Sequence, residues 1–332
     1  MPPLHTLMFA LILLLVGTTD GYAQMIQGVC FSGPPRAIGD SSMARVQAIG
    51  AEWIALMPYA YGPDADGRII FLPEGGQWWG EGPDGIRSMV RMAKARGMKV
   101  MLKPHLWLGH GRFTGTYAPD SATGWKPFEE SYARYVLHYA LLARELDVDL
   151  FCIGTELERF VHERTGFWQI LVDRVSDAYQ GPLTYAANWD EVERFPLWKR
   201  MDHIGVDGYF PLCMAERPDM ELLAASWRPH KAMLKDISTR MGRPVLFTEM
   251  GYCSSSSCAA EPWKEDRNAT RDEGAQAMAY EAFFTAFRNE PYFSGCFVWK
   301  WFADHGIREE RHGVGYSPQG KLAIEVLREA YQ

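Results

Sequence analysis

Residues 244–252 have the sequence PVLFTEMGY, and this stretch decides the fold prediction. Its apolar run at 245–247 predicts a short buried strand, which delivers Thr248 and Glu249 at its end. A second acid, Glu156, ends another apolar run in FCIGTELE, residues 151–158. Acids at the ends of two such strands are typical of a barrel whose strand ends converge on one cleft.

The rest of the chain alternates short apolar runs with longer amphipathic segments, which is the pattern of βα units around a parallel sheet. Predicted strands lie at residues 26–31, 52–59, 99–105, 150–155, 183–187, 203–207, 295–299 and from 245. Predicted helices lie at residues 42–49, 86–96, 128–146, 167–179, 222–241, 275–287 and 321–330. Neither a linker nor a repeat interrupts the pattern. The sequence therefore predicts an α/β fold, a single (β/α)8 TIM barrel.

Composition excludes several classes of partner. The chain has 332 residues, of which 47% are hydrophobic and 23% charged, so it can bury a large core. A net charge of -7 and a pI near 5.8 argue against a nucleic-acid partner, and no basic cluster suggests a membrane surface. We expect a monomer.

The N-terminus is typical of an exported protein. Residues 7–16 form a ten-residue apolar run, which is too short to span a bilayer. Gly21 and Ala23 then place small residues where a signal peptidase acts, so we expect residues 1–23 to be a signal peptide. Cleavage after Ala23 would release a secreted or periplasmic domain, residues 24–332; a retained anchor is the alternative.

Cysteine spacing predicts buried thiols rather than a metal site. Cys30, Cys152 and Cys296 fall inside predicted strands. Cys253 and Cys258 flank a serine loop, where a disulfide is an option in an exported protein. The spacing matches no zinc motif, and we expect no metal or organic cofactor.

The two acids predict a glycosidase of the retaining type. Glu156 ends the fourth predicted strand and Glu249 the seventh, so they face each other across the barrel mouth, where a carboxyl separation of about 5 Å is feasible. Glu249 would be the nucleophile. Glu156 would be the general acid and base, its pKa raised by burial and by the other carboxylate. A lone Glu after a strand is more often a helix cap or an ion-pair partner, but two on opposed strands favour catalysis. Glu158 competes for the acid role, although we expect it to start the next helix.

Polar and aromatic residues follow the other strands, as a sugar site requires. The candidate substrate-binding residues are Lys103, His105, Asn188, Trp189, Asp190, Asp207, Tyr209 and Trp299. Among them, Tyr209 could donate to the nucleophile's carboxylate, and Trp299 could form a platform under the sugar. We expect His110, His203 and His312 to satisfy local hydrogen bonds instead.

The chain resembles glycoside hydrolase family 113, which belongs to the clan of retaining (β/α)8-barrel glycosidases. The matching segments are VMLKPH (100–105), FCIGTELE (151–158), LTYAANWD (183–190), HIGVDGYFP (203–211), LFTEMGY (246–252), FVWKW (297–301) and GYSPQGKLA (315–323). The resemblance implies an endo-β-1,4-mannanase acting on β-mannan, with Glu156 as acid/base and Glu249 as nucleophile.

One position departs from the wider clan. An Asn that binds the sugar 2-hydroxyl commonly precedes the acid/base, whereas this chain has Thr155. The contact must then be weaker, mediated by water or supplied by another residue such as Asn188. Because mannose carries an axial 2-hydroxyl, this position bears on sugar preference.

Other enzymes of the clan, and a binding protein without activity, are the alternatives to this function. An exo-acting β-mannosidase, a mannobiohydrolase or another β-glycanase of the clan would use the same acids, with the loops at 62–85 or 107–126 closing the cleft. A non-catalytic carbohydrate-binding barrel would have no use for an opposed pair of carboxylates.

Overall fold

A computed structural model of the chain describes residues 25–63, 66–71, 76–109, 112–121, 124–215, 218–303 and 313–332. The predicted signal peptide, His110 and His312 lie outside these ranges. None of the helices within the ranges has the length and apolarity needed to cross a bilayer.

The described residues form a closed parallel barrel. Its strands and those of a small second sheet are β1 (Ile26–Ser32), β2 (Trp53–Leu56), β3 (Tyr59–Tyr61), β4 (Lys99–Leu102), β5 (His105–Trp107), β6 (Leu150–Thr155), β7 (Leu183–Asn188), β8 (Ile204–Asp207), β9 (Val245–Met250) and β10 (Phe293–Phe302). The barrel order is β1-β10-β9-β8-β7-β6-β4-β2. The predicted single (β/α)8 barrel is therefore confirmed.

Two predicted strands are each divided in the structure. The run at 52–59 becomes β2 and β3, and the run at 99–105 becomes β4 and β5. Pro58 and Pro104 fall at the two breaks; neither has an N–H to donate to a ladder. Beyond the breaks, β3 and β5 pair in parallel as a separate two-stranded sheet, which we call the rim sheet.

Helices surround the barrel: α1 (Ser41–Gln47), α2 (Pro83–Ala95), α3 (Trp125–Glu145), α4 (Glu158–Glu163), α5 (Thr165–Ala178), α6 (Met220–Met241), α7 (Glu273–Phe287) and α8 (Ala323–Ala330). Glu158 begins α4, as expected from the sequence. Between β7 and β8 the described chain has only a 3₁₀ turn at Trp198–Arg200, which agrees with the short predicted connection.

The core has two layers. Ile26, Ala55, Met101, Leu246 and Phe297 come from five different strands yet contact one another, so they fill the barrel interior. A larger layer lies between the strands and the helices. There Phe247 of β9 packs edge-on against Phe283 of α7, with ring centroids 5.0 Å apart. The alternation of Leu246 and Phe247 fixes β9 against both layers.

Candidate active site

A register irregularity in β9 brings Glu249 to the barrel interior. Because Leu246 points inward and Phe247 outward, simple alternation would turn Glu249 toward the helices. Opposite β8, however, Phe247 pairs with Val206 and Glu249 with Asp207, so β9 contains one extra residue. The same extra residue appears against β10. Such a bulge re-aims a side chain, here placing Glu249 beside Asp207.

The end of β6 is distorted in a similar way. The three steps along β6 from Cys152 to Thr155 lie opposite only two steps along β7, and Glu156 follows directly. Glu156 has a φ of 50°, which is uncommon for a residue with a side chain. Its N–H donates to the carbonyl of Ala186 at 2.8 Å, which holds it in this conformation. Strain of this kind is concentrated at functional sites.

Both carboxylate oxygens of Glu249 accept hydrogen bonds. Lys103 donates to Oε1, and the Tyr209 hydroxyl donates to Oε2 at 2.6 Å. Nε2 of His105 lies 3.6 Å from Oε1. With only 5% of the residue exposed, Glu249 has a fixed orientation and its negative charge is stabilised by these donors. The predicted bond from Tyr209 to this carboxylate is present.

The structure corrects the prediction that Lys103 and Asp207 contact sugar. Both residues are fully buried. Nζ of Lys103 donates to Asp207 at 2.9 and 3.1 Å as well as to Glu249, which uses its three donors. Asp207 also accepts from the Thr248 hydroxyl at 2.8 Å. These two residues lie beneath the cleft and support Glu249. We call Lys103, Asp207 and Glu249 the buried ion triad.

Electrostatics within the triad favour a charged lysine. Burial alone would lower the pKa of Lys103, but attraction to Asp207 and Glu249 outweighs it and raises the pKa well above its ordinary value. Burial and the charge of Glu249 raise the pKa of Asp207 to about 7, against the opposing effects of Lys103 and Thr248. A buried cation between two carboxylates therefore links β4, β8 and β9.

Glu156 differs from Glu249 in its surroundings. Burial, and then the negative charges of Asp207 and Glu249, raise the pKa of Glu156 well above its ordinary value. The described structure shows no hydrogen bond to its carboxyl group from a cation. Glu156 thus favours its neutral form, whereas the carboxylate of Glu249 accepts hydrogen bonds from a lysine and a tyrosine.

His105 and Trp299 offer surfaces for a ligand beside Glu249. Their rings are nearly parallel, with a 5° interplanar angle and centroids 6.1 Å apart. Burial and the charge of Lys103 lower the pKa of His105 well below its ordinary value, so the imidazole is neutral. Its buried Nε2 has no hydrogen-bond partner among the described residues. An unpaired nitrogen at this place is suited to a ligand hydroxyl.

The last residue of β7 and the loop after it contain the three residues predicted there. Asn188 and Trp189 are half-buried and Asp190 is exposed, and the Asn188 amide donates to the Asp190 carboxylate at 2.9 Å. Sequence reasoning missed Glu191, which is fully buried behind them. Glu191 accepts from the Tyr185 hydroxyl at 3.2 Å, and that hydroxyl accepts from the N–H of Leu157 at 2.7 Å. Glu191 thereby ties the loop to the residue that follows Glu156.

His203 lies just before β8, at the end of the barrel away from both acids. Nδ1 of His203 lies 3.1 Å from Ser294 Oγ, which is the local bond expected. Cys253 and Cys258 are not joined to each other in the structure, so the disulfide considered above is not formed. A cavity of about 740 Å³ opens at the opposite end of the barrel, beside Trp53 and His203, remote from both acids. Among described residues, no group of three His, Cys, Asp or Glu side chains is arranged to hold a metal ion.

A closed (β/α)8 barrel with acids at the C-terminal ends of its strands defines a class, the barrel glycoside hydrolases. The sequence model of Glycoside Hydrolase Family 113 matches residues 35–321. The chain therefore belongs to this family and is a glycoside hydrolase. No curated protein matches the chain.

Solved structures show the same barrel. The GH113 β-mannanase AaManA from Alicyclobacillus acidocaldarius, solved in complex with ManMIm, is 27% identical over 93% of this chain and 97% of that one, with a TM-score of 0.78. A GH113 β-1,4-mannanase complex is 22% identical over 93% and 99% of the two chains, with a TM-score of 0.80. A β-glucuronidase from Faecalibacterium prausnitzii shares only the fold, at 15% identity and a TM-score of 0.62, over 93% of this chain and 49% of its own.

We predict that Lys103→Met destabilises the protein by about 3–5 kcal/mol, because two buried carboxylates lose their cation. Without the ammonium, the pKa of Asp207 in the folded protein rises further above its value in the unfolded chain. Ionisation of Asp207 as pH rises then costs the folded protein more free energy than it costs the unfolded chain. The loss of stability should therefore be larger near pH 8 than near pH 5. Urea unfolding at both pH values measures it. Lys99→Met, an exposed lysine at the start of the same strand, is the matched control. An equal, pH-independent loss in both variants would contradict the role of the triad.

Proposed function

We propose that this protein is a retaining endo-β-1,4-mannanase in which Glu249 is the nucleophile and Glu156 the acid/base. The observation that supports the assignment most directly is the contrast between the two acids. Glu249 accepts hydrogen bonds from Lys103 and Tyr209, whereas burial and neighbouring negative charges favour the neutral form of Glu156. A nucleophile must be ionised and a general acid must carry a proton.

In the first step, Glu249 attacks the anomeric carbon while Glu156 gives its proton to the departing glycosidic oxygen. The bond to the leaving sugar breaks, and an ester bond to Glu249 forms. In the second step, Glu156 takes a proton from water as that water attacks the same carbon. The ester bond breaks, Glu249 regains its negative charge, and the sugar is released with its original configuration.

The arrangement of charges suits this change of role. Glu249 raises the pKa of Glu156 in the free enzyme, but it has no negative charge once it is esterified. The pKa of Glu156 then falls, which favours the carboxylate needed for general base catalysis in the second step. Lys103 remains paired with Asp207 throughout, so the cation is never left alone in the interior.

Family membership supports β-mannan as the substrate. The chain belongs to the same family as two solved β-mannanases, one of them 27% identical over nearly the whole of both chains. Near the acids, the Thr155 hydroxyl donates to the carbonyl of Pro104 at 3.4 Å, which occupies its proton. Half-buried Asn188 is then the residue we propose for the contact with the axial 2-hydroxyl of mannose.

The rim sheet supports endo action. His105 faces Glu249, and Tyr59, Tyr61 and Trp107 share its face, since Tyr59 pairs with His105 and Tyr61 with Trp107. This aromatic face extends outward from the cleavage point, and Trp107 at its outer end is 50% exposed. A chain of sugars on the glycone side can lie along it.

Export of the domain, directed by residues 1–23, remains part of the proposal.

We predict that the purified mature protein cleaves mannohexaose into several short manno-oligosaccharides from the start, and that it leaves cellohexaose and xylohexaose intact. Chromatography of early time points tests this. Mannose or mannobiose alone from the outset would favour the exo-acting alternative. Cleavage of cellohexaose alone would contradict the proposed sugar, and no cleavage of any would favour a binding role.

We predict that the alkaline limb of the kcat/KM profile reports loss of the proton from Glu156, because activity needs this residue protonated and its pKa is raised. Glu156→Gln should abolish that limb and lower kcat/KM on mannohexaose by roughly 10²–10⁴-fold. Glu158→Gln, two residues along at the start of α4, is the matched control and should keep the limb. A limb that persisted in Glu156→Gln would assign the acid to another residue.

A further inference from the structure

A pair of stacked tryptophans lies on the other side of the cleft from the rim sheet. Trp189 follows β7, and Trp263 belongs to the segment between β9 and α7. Their ring centroids are 5.5 Å apart, and the angle between the ring planes is 19°. Trp263 is 46% exposed although it is a large apolar side chain. One face of Trp263 is covered by Trp189, so the exposure falls mainly on the opposite face.

The pair is continuous with the catalytic cleft. Trp189 packs against a small cluster formed by Tyr209, Cys253 and Tyr316, and Trp299 packs against the same cluster. Tyr209 is the residue that donates to Glu249. The stacked pair therefore begins one side chain away from the nucleophile.

The segment that carries Trp263 is held in place. The Tyr316 hydroxyl donates to the carbonyl of Pro262 at 2.6 Å. An antiparallel bridge between Ser255 and Arg271 closes the segment at its base. An exposed aromatic ring on a fixed segment can receive a ligand with little loss of conformational entropy.

The barrel order indicates which part of a substrate would lie here. Glu156 on β6 and Glu249 on β9 divide the mouth into two arcs. The arc through β10, β1, β2 and β4 contains Trp299 and the rim sheet, which we assigned to the glycone side. The arc through β7 and β8 contains Trp189, next to the strand whose acid protonates the leaving oxygen.

We propose that the Trp189–Trp263 pair is a sugar subsite for the leaving-group side of the substrate, with a pyranose ring lying against the exposed face of Trp263. This inference rests on the proposed function. Apolar C–H faces of a pyranose match an exposed indole, and the neighbouring Asp190 can accept from sugar hydroxyls. Trp263 would then be a specificity-determining residue that the sequence did not single out.

The test compares two substrates that differ only on the leaving-group side. Mannotetraose places sugars beyond the cleavage point, whereas β-mannobiosyl fluoride leaves only fluoride there. For Trp263→Ala, we expect the ratio of kcat/KM for mannotetraose to kcat/KM for the fluoride to fall about fivefold, since one aromatic contact is worth about 1 kcal/mol. Trp263→Phe retains an aromatic face and should recover most of the ratio.

An unchanged ratio in Trp263→Ala would overturn the subsite, whether both values of kcat/KM were retained or fell equally, because an equal fall would indicate a structural role alone. Failure of the proposed function is distinguishable from this result. In that case the wild-type protein itself would hydrolyse neither mannotetraose nor the fluoride.

Discussion

The buried contact between Lys103 and two carboxylates is the interaction on which the site depends. Asp207 and Glu249 lie side by side at the ends of neighbouring strands, both almost entirely removed from water. Two ionised carboxylates could not remain there without a cation, because desolvation and repulsion both oppose it. Lys103 reaches them from β4, across the barrel from β8 and β9. The ion triad therefore joins opposite sides of the barrel at the level where the chemistry is proposed to occur.

Backbone irregularities complete the arrangement. The bulge in β9 turns Glu249 inward, and the left-handed conformation of Glu156 redirects the chain at the end of β6. Without them, strict alternation would separate the acids from the cleft. The hydrophobic layers on both sides of β9 keep the bulge in place. If the strand shifted by one residue, Leu246 would leave the barrel interior and Phe247 would leave its contacts with the helices. Stable packing thus supports a strained site.

The sequence was sufficient to predict the barrel, because strand length and apolar pattern are local properties; the roles of Glu156 and Glu249 stay predictions. It also predicted the hydrogen bond from the Tyr209 hydroxyl to the Glu249 carboxylate. It could not show that Lys103 and Asp207 are buried and paired with each other. A charged residue at the end of a strand gives the same sequence pattern whether its side chain faces solvent or another charge. Glu191 and Trp263 were missed for a related reason: the contacts of Glu191 with Tyr185, and of Trp263 with Trp189, exist only in the folded chain. Two predicted strands are divided because Pro58 and Pro104 have no N–H to donate to a strand ladder. A prediction based on apolar pattern alone does not take this into account.

The central claim is that Glu249, and not its neighbour Asp207, forms the covalent intermediate. The most direct measurement is azide rescue of Glu249→Ala with an aryl β-mannoside, analysed by NMR of the product. Azide would occupy the space left by the carboxylate, so we predict restored turnover and an α-mannosyl azide. Asp207→Ala should give no such product. Near-full hydrolysis by Glu249→Ala without azide, or an α-azide formed only by Asp207→Ala, would contradict the account.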